Sequence, residues 1–103
     1  MVEQKFEMYR VVESKAGRDK RRLFVVVGIR DDGLVLVADG DLRKLAKPKP
    51  KKRMHLKPRH WILRELAELV EKGILKDSDI RRGLTDIKNR MTENMEENTF
   101  GEE

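Results

Sequence analysis

The sequence predicts a small β-barrel followed by a C-terminal helical hairpin, a mainly β fold with added α-structure. Three observations carry this. Short apolar runs cut by Gly/Asp turns fill the first half, a proline-broken basic segment follows, and apolar residues then recur at helical spacing. At 103 residues the chain has room for one domain and none for a large internal cavity.

The first strand lies around Val11 and Val12 and ends near Lys15. The polar stretch Ala16-Gly17-Arg18-Asp19-Lys20 is a loop, with Gly17 supplying positive φ and Asp19 bonding nearby backbone. A second strand, Leu23 to Ile29, is rich in β-branched residues and stops at the hairpin signal Asp31-Asp32-Gly33. The third strand, Leu34 to Ala38, ends at Asp39-Gly40-Asp41, and a short fourth is expected over Leu42 to Leu45. Strands two and three are apolar at consecutive positions, so both faces of their hairpin must be covered.

Lys47-Pro48-Lys49-Pro50-Lys51 is expected to be an extended, solvated connector, because proline has no amide donor and a fixed φ. Trp61, Ile62, Leu63, Leu66, Ala67, Leu69 and Val70 then form the apolar side of a helix ending at Gly73. Asp77 or Ser78 is placed to cap a second helix with the stripe Ile80, Leu84, Ile87 and Met91, which Gly83 weakens by roughly 1 kcal/mol. The expected organisation is a barrel with a basic arm (43–59) over residues 1–57, a helical hairpin packed on it over 58–91, and a disordered acidic tail over 92–103.

Charge is the unusual property. Asp, Glu, Lys and Arg make up 42% of the chain, against about 25% in an average soluble domain. The net +5 is unevenly spread: residues 1–60 carry 17 Lys/Arg against 8 Asp/Glu, and residues 61–103 carry 7 against 11. The loop places Lys15, Arg18, Lys20, Arg21 and Arg22 within one turn. The arm adds Arg43, Lys44, Lys47, Lys49, Lys51, Lys52, Arg53, Lys57 and Arg59 with no acid among them. Such clusters favour phosphate-rich partners.

The string from Val11 to Val26, with Gly17-Arg18-Asp19-Lys20 at its centre, resembles a KOW motif, and Leu36-Val37-Ala38-Asp39-Gly40-Asp41-Leu42-Arg43-Lys44 and His55-Leu56 extend the likeness. Together they look like the bacterial KOW-domain RNA-binding proteins related to the eukaryotic and archaeal large-subunit ribosomal protein numbered fourteen. The resemblance covers residues 8–57 and implies an SH3-like barrel that binds RNA, ribosomal RNA first, in ribosome assembly or translation. Many members of that family have glycine where Tyr9 and Arg21 stand here.

Phe24 is expected in the core, as is Trp61 on balance, while Tyr9 is open between packing and base stacking. With no cysteine, and no acid between His55 and His60, neither a metal site nor a cofactor is expected. No Ser/His/Asp arrangement, phosphate-cradling glycine loop or sheltered carboxylate pair points to catalysis. The rival reading is a protein-interaction module docking through its helices on RNA polymerase or ribosomal proteins. A membrane partner is not expected, since the basic arm has no amphipathic apolar face. The first residues lack the layout of a secretory signal, so a cytoplasmic location is expected. Deleting the five-glutamate segment 92–103 should raise RNA affinity at low salt in a titration against ribosomal RNA, because it removes an internal competitor for the basic surface.

Overall fold

Both faces of the second strand are apolar in sequence, and the computed structural model, which describes the backbone of residues 6–102 and the side chains of residues 6–92, covers both. Five strands form one antiparallel sheet: β1 (Arg10–Ser14), β2 (Leu23–Ile29), β3 (Val35–Ala38), β4 (Lys49–Lys51) and β5 (Leu56–Ile62), in the order β4-β3-β2-β1-β5. Two helices follow, α1 (Glu65–Glu71) and α2 (Asp77–Glu102). The fold is thus mixed α/β.

Alternate side chains of one strand point to opposite faces, so the consecutive apolar run of β2 feeds two cores. Phe24 and Val26 join Phe6, Val12, Val35, Val37 and Leu56 on one face. Leu23 and Val25 join Val11, Ala38, Leu63, Leu66, Ile80, Leu84 and Ile87 on the other. The helices supply the second cover, as the sequence requires, and the stripe Ile80, Leu84 and Ile87 is buried as expected, with Met91 packed at its edge.

The sheet is curled. The chain passes between the two edge strands through Lys52 and a 3-10 turn at Arg53–His55, and Lys51 of one edge donates to Ser14 Oγ beside the other edge at 3.0 Å.

Several elements differ from the sequence-based expectation. No strand forms over Leu42 to Leu45; the fourth strand is Lys49–Lys51, inside the segment expected to be a solvated connector. Pro50 stands opposite Leu36 on an edge strand, where a missing amide donor is tolerated. Consequently residues 43–59 are no loose arm, since they include β4, the 3-10 turn and the start of β5. Trp61 and Ile62 belong to β5 rather than to a helix: Ile62 pairs with Arg10, and the Leu63 amide donates to the Tyr9 carbonyl at 2.8 Å. Pairing with β1 overrides a sequence spacing that fits a helix equally well. Helix α2 continues through Glu102, whereas the apolar stripe predicts an end near Met91 and a disordered tail; the tail's side chains from residue 93 lie outside the described residues.

The helix ends follow local chemistry. Gly73 (φ +71°) closes α1, its amide donating to Val70 and that of Ile74 to Leu69, a pattern that satisfies two terminal carbonyls. At the start of α2 the Lys76 amide donates to the Asp79 carboxylate at 2.9 Å, so neither Asp77 nor Ser78 takes the expected capping part. Asp77 instead accepts from the Leu45 amide at 2.8 Å and holds the β3–β4 loop against the helix. Gly83 has a packing reason, because a Cβ there would meet the Leu63 side chain at 2.8 Å.

Gly40 (φ +78°) lies under the same helix end, where a Cβ would overlap the Asp77 carbonyl. Arg81 clamps it by donating to the Gly40 carbonyl at 2.5 Å. Gly40→Ala should therefore lower stability by at least about 2 kcal/mol in urea denaturation. Tyr9 (φ +68°) and Arg21 (φ +73°) are the non-glycine residues with positive φ among the described residues. Removing that strain by Arg21→Gly should raise stability by about 1 kcal/mol in the same measurement.

Candidate nucleic-acid interface

Antiparallel pairing brings the β1–β2 and β3–β4 loops to one end of the sheet, since Ser14, Leu23 and Ala38 all lie there. The β1–β2 loop is closed by backbone bonds: Ser14 donates to Arg22 at 3.0 Å, and Arg21 donates to Ser14 at 2.7 Å. Within it Lys20 donates to Gly17, and Gly17 itself adopts φ +77° with open space around it, as its loop position requires. The Lys15 amide donates to the His55 carbonyl at 2.8 Å and ties the loop to the β4–β5 turn.

Two buried carboxylates organise this end. Asp19, only 7% exposed, lies 3.6 Å from Arg43 and 3.5 Å from Lys51. Its side chain therefore joins the β1–β2 loop to the β3–β4 loop and to β4, rather than bonding its own loop's backbone as its turn position predicts. Asp39, 5% exposed, accepts from the amides of Asp41 (3.0 Å) and Arg43 (2.8 Å) with one oxygen and from Arg22 Nε (2.5 Å) with the other. Arg22 also reaches Asp41 at 3.3 Å. Asp39 and Asp41 are turn acids as expected, but Asp39 has the further task of neutralising a predicted RNA-binding cation.

The fourteen predicted cations therefore divide. Arg22, Arg43 and Lys51 are held by the two aspartates. Arg59 pairs with Glu13 at 2.6 Å and lies over the Trp61 ring, while Arg53 lies over the Phe6 ring. Lys15, Arg18, Lys20 and Arg21 on the first loop, Lys44 and Lys47 on the second, and Lys52 and Lys57 flanking the 3-10 turn are exposed. These eight have no ion-pair partner among the described residues. Lys49 is half-buried in β4 and likewise unpaired there.

Phe24 is fully buried, as expected. Trp61 is half-buried against the core beneath the helices, with the His60 ring 4.0 Å away and Arg59 over its face. Tyr9 packs against the same core. Among the described residues the aromatic side chains thus offer little open stacking surface, and the candidate interface is one of charge. Sequence reasoning missed Leu42, which is 56% exposed among the lysines of the β3–β4 loop; the short fourth strand expected over Leu42 to Leu45 concealed its place on a loop.

No known protein family matches the chain, and no curated protein is significantly similar to it. No group of three or more potential metal ligands occurs among the described residues, and no described helix is long and apolar enough to cross a membrane.

Burial pushes the Asp39 carboxyl up, yet the Arg43 and Asp41 amides and the Arg22 guanidinium outweigh it and hold its pKa below the ordinary value. In the unfolded chain the group titrates near about 3.9, so its stabilising contribution is complete above that pH and is lost as pH falls through the lower folded value. Asp39→Asn should cost about 1–3 kcal/mol at neutral pH and flatten the acid limb of a stability-against-pH curve recorded by circular dichroism.

Proposed function

We propose that this protein is a non-catalytic RNA-binding protein, ribosomal or ribosome-associated, built on an SH3-like KOW barrel. The observation that carries the reading is the cluster of exposed, unpaired cations on loops that buried aspartates hold together. Phosphate binding needs charge that is not already satisfied within the protein, in a geometry fixed before the partner arrives.

Backbone conformation supports the KOW resemblance independently of charge. The two positions where many relatives have glycine, Tyr9 and Arg21, are the two where a non-glycine residue adopts left-handed φ among the described residues. A backbone that asks for glycine at both places is the one the motif would build. The sheet order and the 3-10 turn between its edge strands support the SH3-like reading of the curled sheet. Few open aromatics among the described residues favour recognition of structured RNA through phosphates, and the function would be cytoplasmic.

A second reading, docking on proteins of the transcription or translation machinery, is favoured by one feature. The cleft between α1 and α2 has an apolar floor of Leu66 and Leu69 and is edged by Glu65, Asp79, Arg82 and Asp86. Sedimentation with large ribosomal subunits before and after a high-salt wash, beside co-purification with RNA polymerase, separates the two: association that persists only with polymerase supports protein docking, and salt-reversible association with the subunit supports RNA.

Within the RNA reading, replacing Lys15, Arg18 and Lys20 together by Ala should leave the melting temperature within a degree or so and lower the salt slope by about 0.9 for each phosphate no longer neutralised. Replacing Arg22 by Ala should instead lower stability by about 1 kcal/mol, because it strips a partner from buried Asp39 and is itself partly solvent-screened. Unchanged affinity and slope in the triple variant would remove the loop from the interface.

A further inference from the structure

The β3–β4 loop holds a groove of about 550 Å³, within the range of small-molecule sites of roughly 300–1,000 Å³. Its composition is unusual for so charged a surface. Leu42, Ala46, Pro48 and Pro50 supply apolar walls, and every other lining residue is a cation. The neighbouring hollow against α2 differs, since Asp39 and Asp41 line it and Arg22 is already bonded to both.

The groove is built rather than loose. Asp39 fixes the Arg43 amide, Asp77 fixes the Leu45 amide, and the Lys47 amide donates to the Lys44 carbonyl at 2.9 Å. Beyond Lys47 the chain enters the ladder, with Lys49 opposite Val37 and Pro50 opposite Leu36. Two proline rings stiffen this wall further, so little ordering entropy remains to be lost on binding. Arg43 is drawn aside by Asp19, which leaves Lys44, Lys47 and Lys49 as the cations without an ion-pair partner among the described residues.

An apolar slot edged only by cations matches a ligand with a flat, weakly polar body and attached negative charge. We propose that this groove receives one unpaired ribonucleotide of the bound RNA, its base against Leu42, Pro48 and Pro50 and its flanking phosphates on Lys44, Lys47 and Lys49. The inference rests on the RNA-binding reading and adds to it a preference for RNA that carries an extruded nucleotide. Leu42 then has a reason to stand 56% exposed beside the cations instead of in a core. An acidic peptide is the other ligand that such chemistry admits.

The test compares a fully paired RNA duplex with the same duplex carrying one unpaired uridine, by fluorescence anisotropy with the full chain. The unpaired uridine should tighten binding at least about five-fold, which is what removing roughly 40 Å² of apolar surface from water supplies. Leu42→Ser should abolish that preference, whereas Ile29→Ser, an exposed apolar change at the far end of β2, should keep it. Melting curves of both variants check that they fold. Equal binding of the two RNAs, or a preference that survives Leu42→Ser, overturns the groove while leaving the RNA reading intact. Polyglutamate that erases the preference more effectively than oligouridine assigns the groove to acidic peptides and also overturns it. Binding to neither RNA sinks the wider reading and this one with it.

Discussion

Strand β2 buries side chains on both faces, and the placement of nearly everything else follows from that requirement. One strand contributes Phe24 and Val26 to the core within the curled sheet and Leu23 and Val25 to the core beneath the helices. A five-stranded sheet of this size cannot shelter both faces by itself. The helices therefore complete the sheet's hydrophobic burial rather than forming a separate unit. The close approaches at Gly40 and Gly83 show how tightly α2 must pack: one admits the β3–β4 loop to the helix start, the other admits Leu63 to its middle.

The same economy governs charge. Residues 1–60 hold few acids for their many cations, so where each acid stands decides which cations remain open. Asp19 and Asp39 are buried and each engages a basic side chain from a distant part of the chain. Their effect is to divide a uniformly basic sequence into cations that hold the fold and cations that face solvent. Arginine carries most of the first task, consistent with its several donors and fixed planar geometry, and lysine most of the second. Lys51 departs from this on one side, with a side chain only 11% exposed between Asp19, Ser14 and the Phe24 ring, and the exposed Arg18 and Arg21 depart on the other.

How much of this is legible in the sequence depends on whether the signal is local. The hairpin of β2 and β3 is, because β-branched runs around Asp31-Asp32-Gly33 leave little choice. So is the stripe of α2, whose spacing repeats over several turns. Strand β4 is not, since three residues with a central proline carry no periodicity and form a strand only because β3 offers a ladder. Trp61 and Ile62 fit the helical period of the residues after them, and only the presence of β1 selects a strand. At the candidate interface the residue types are legible and their pairings are not. Arg22 and Asp39 are 17 positions apart, and no local rule distinguishes Arg22 from its neighbour Arg21.

The burial of Asp19 and Asp39 has a consequence for how the molecule responds to its medium. Mobile ions screen exposed charges over about 8 Å at physiological ionic strength, and screen sheltered pairs far less. Raising ionic strength therefore acts on the outward lysines long before it reaches the ion pairs that keep the loops in place. Release of any polyanion held on those lysines and loss of the native state would be governed by different sets of charges. A cell or a chromatographer could reverse the first repeatedly without approaching the second.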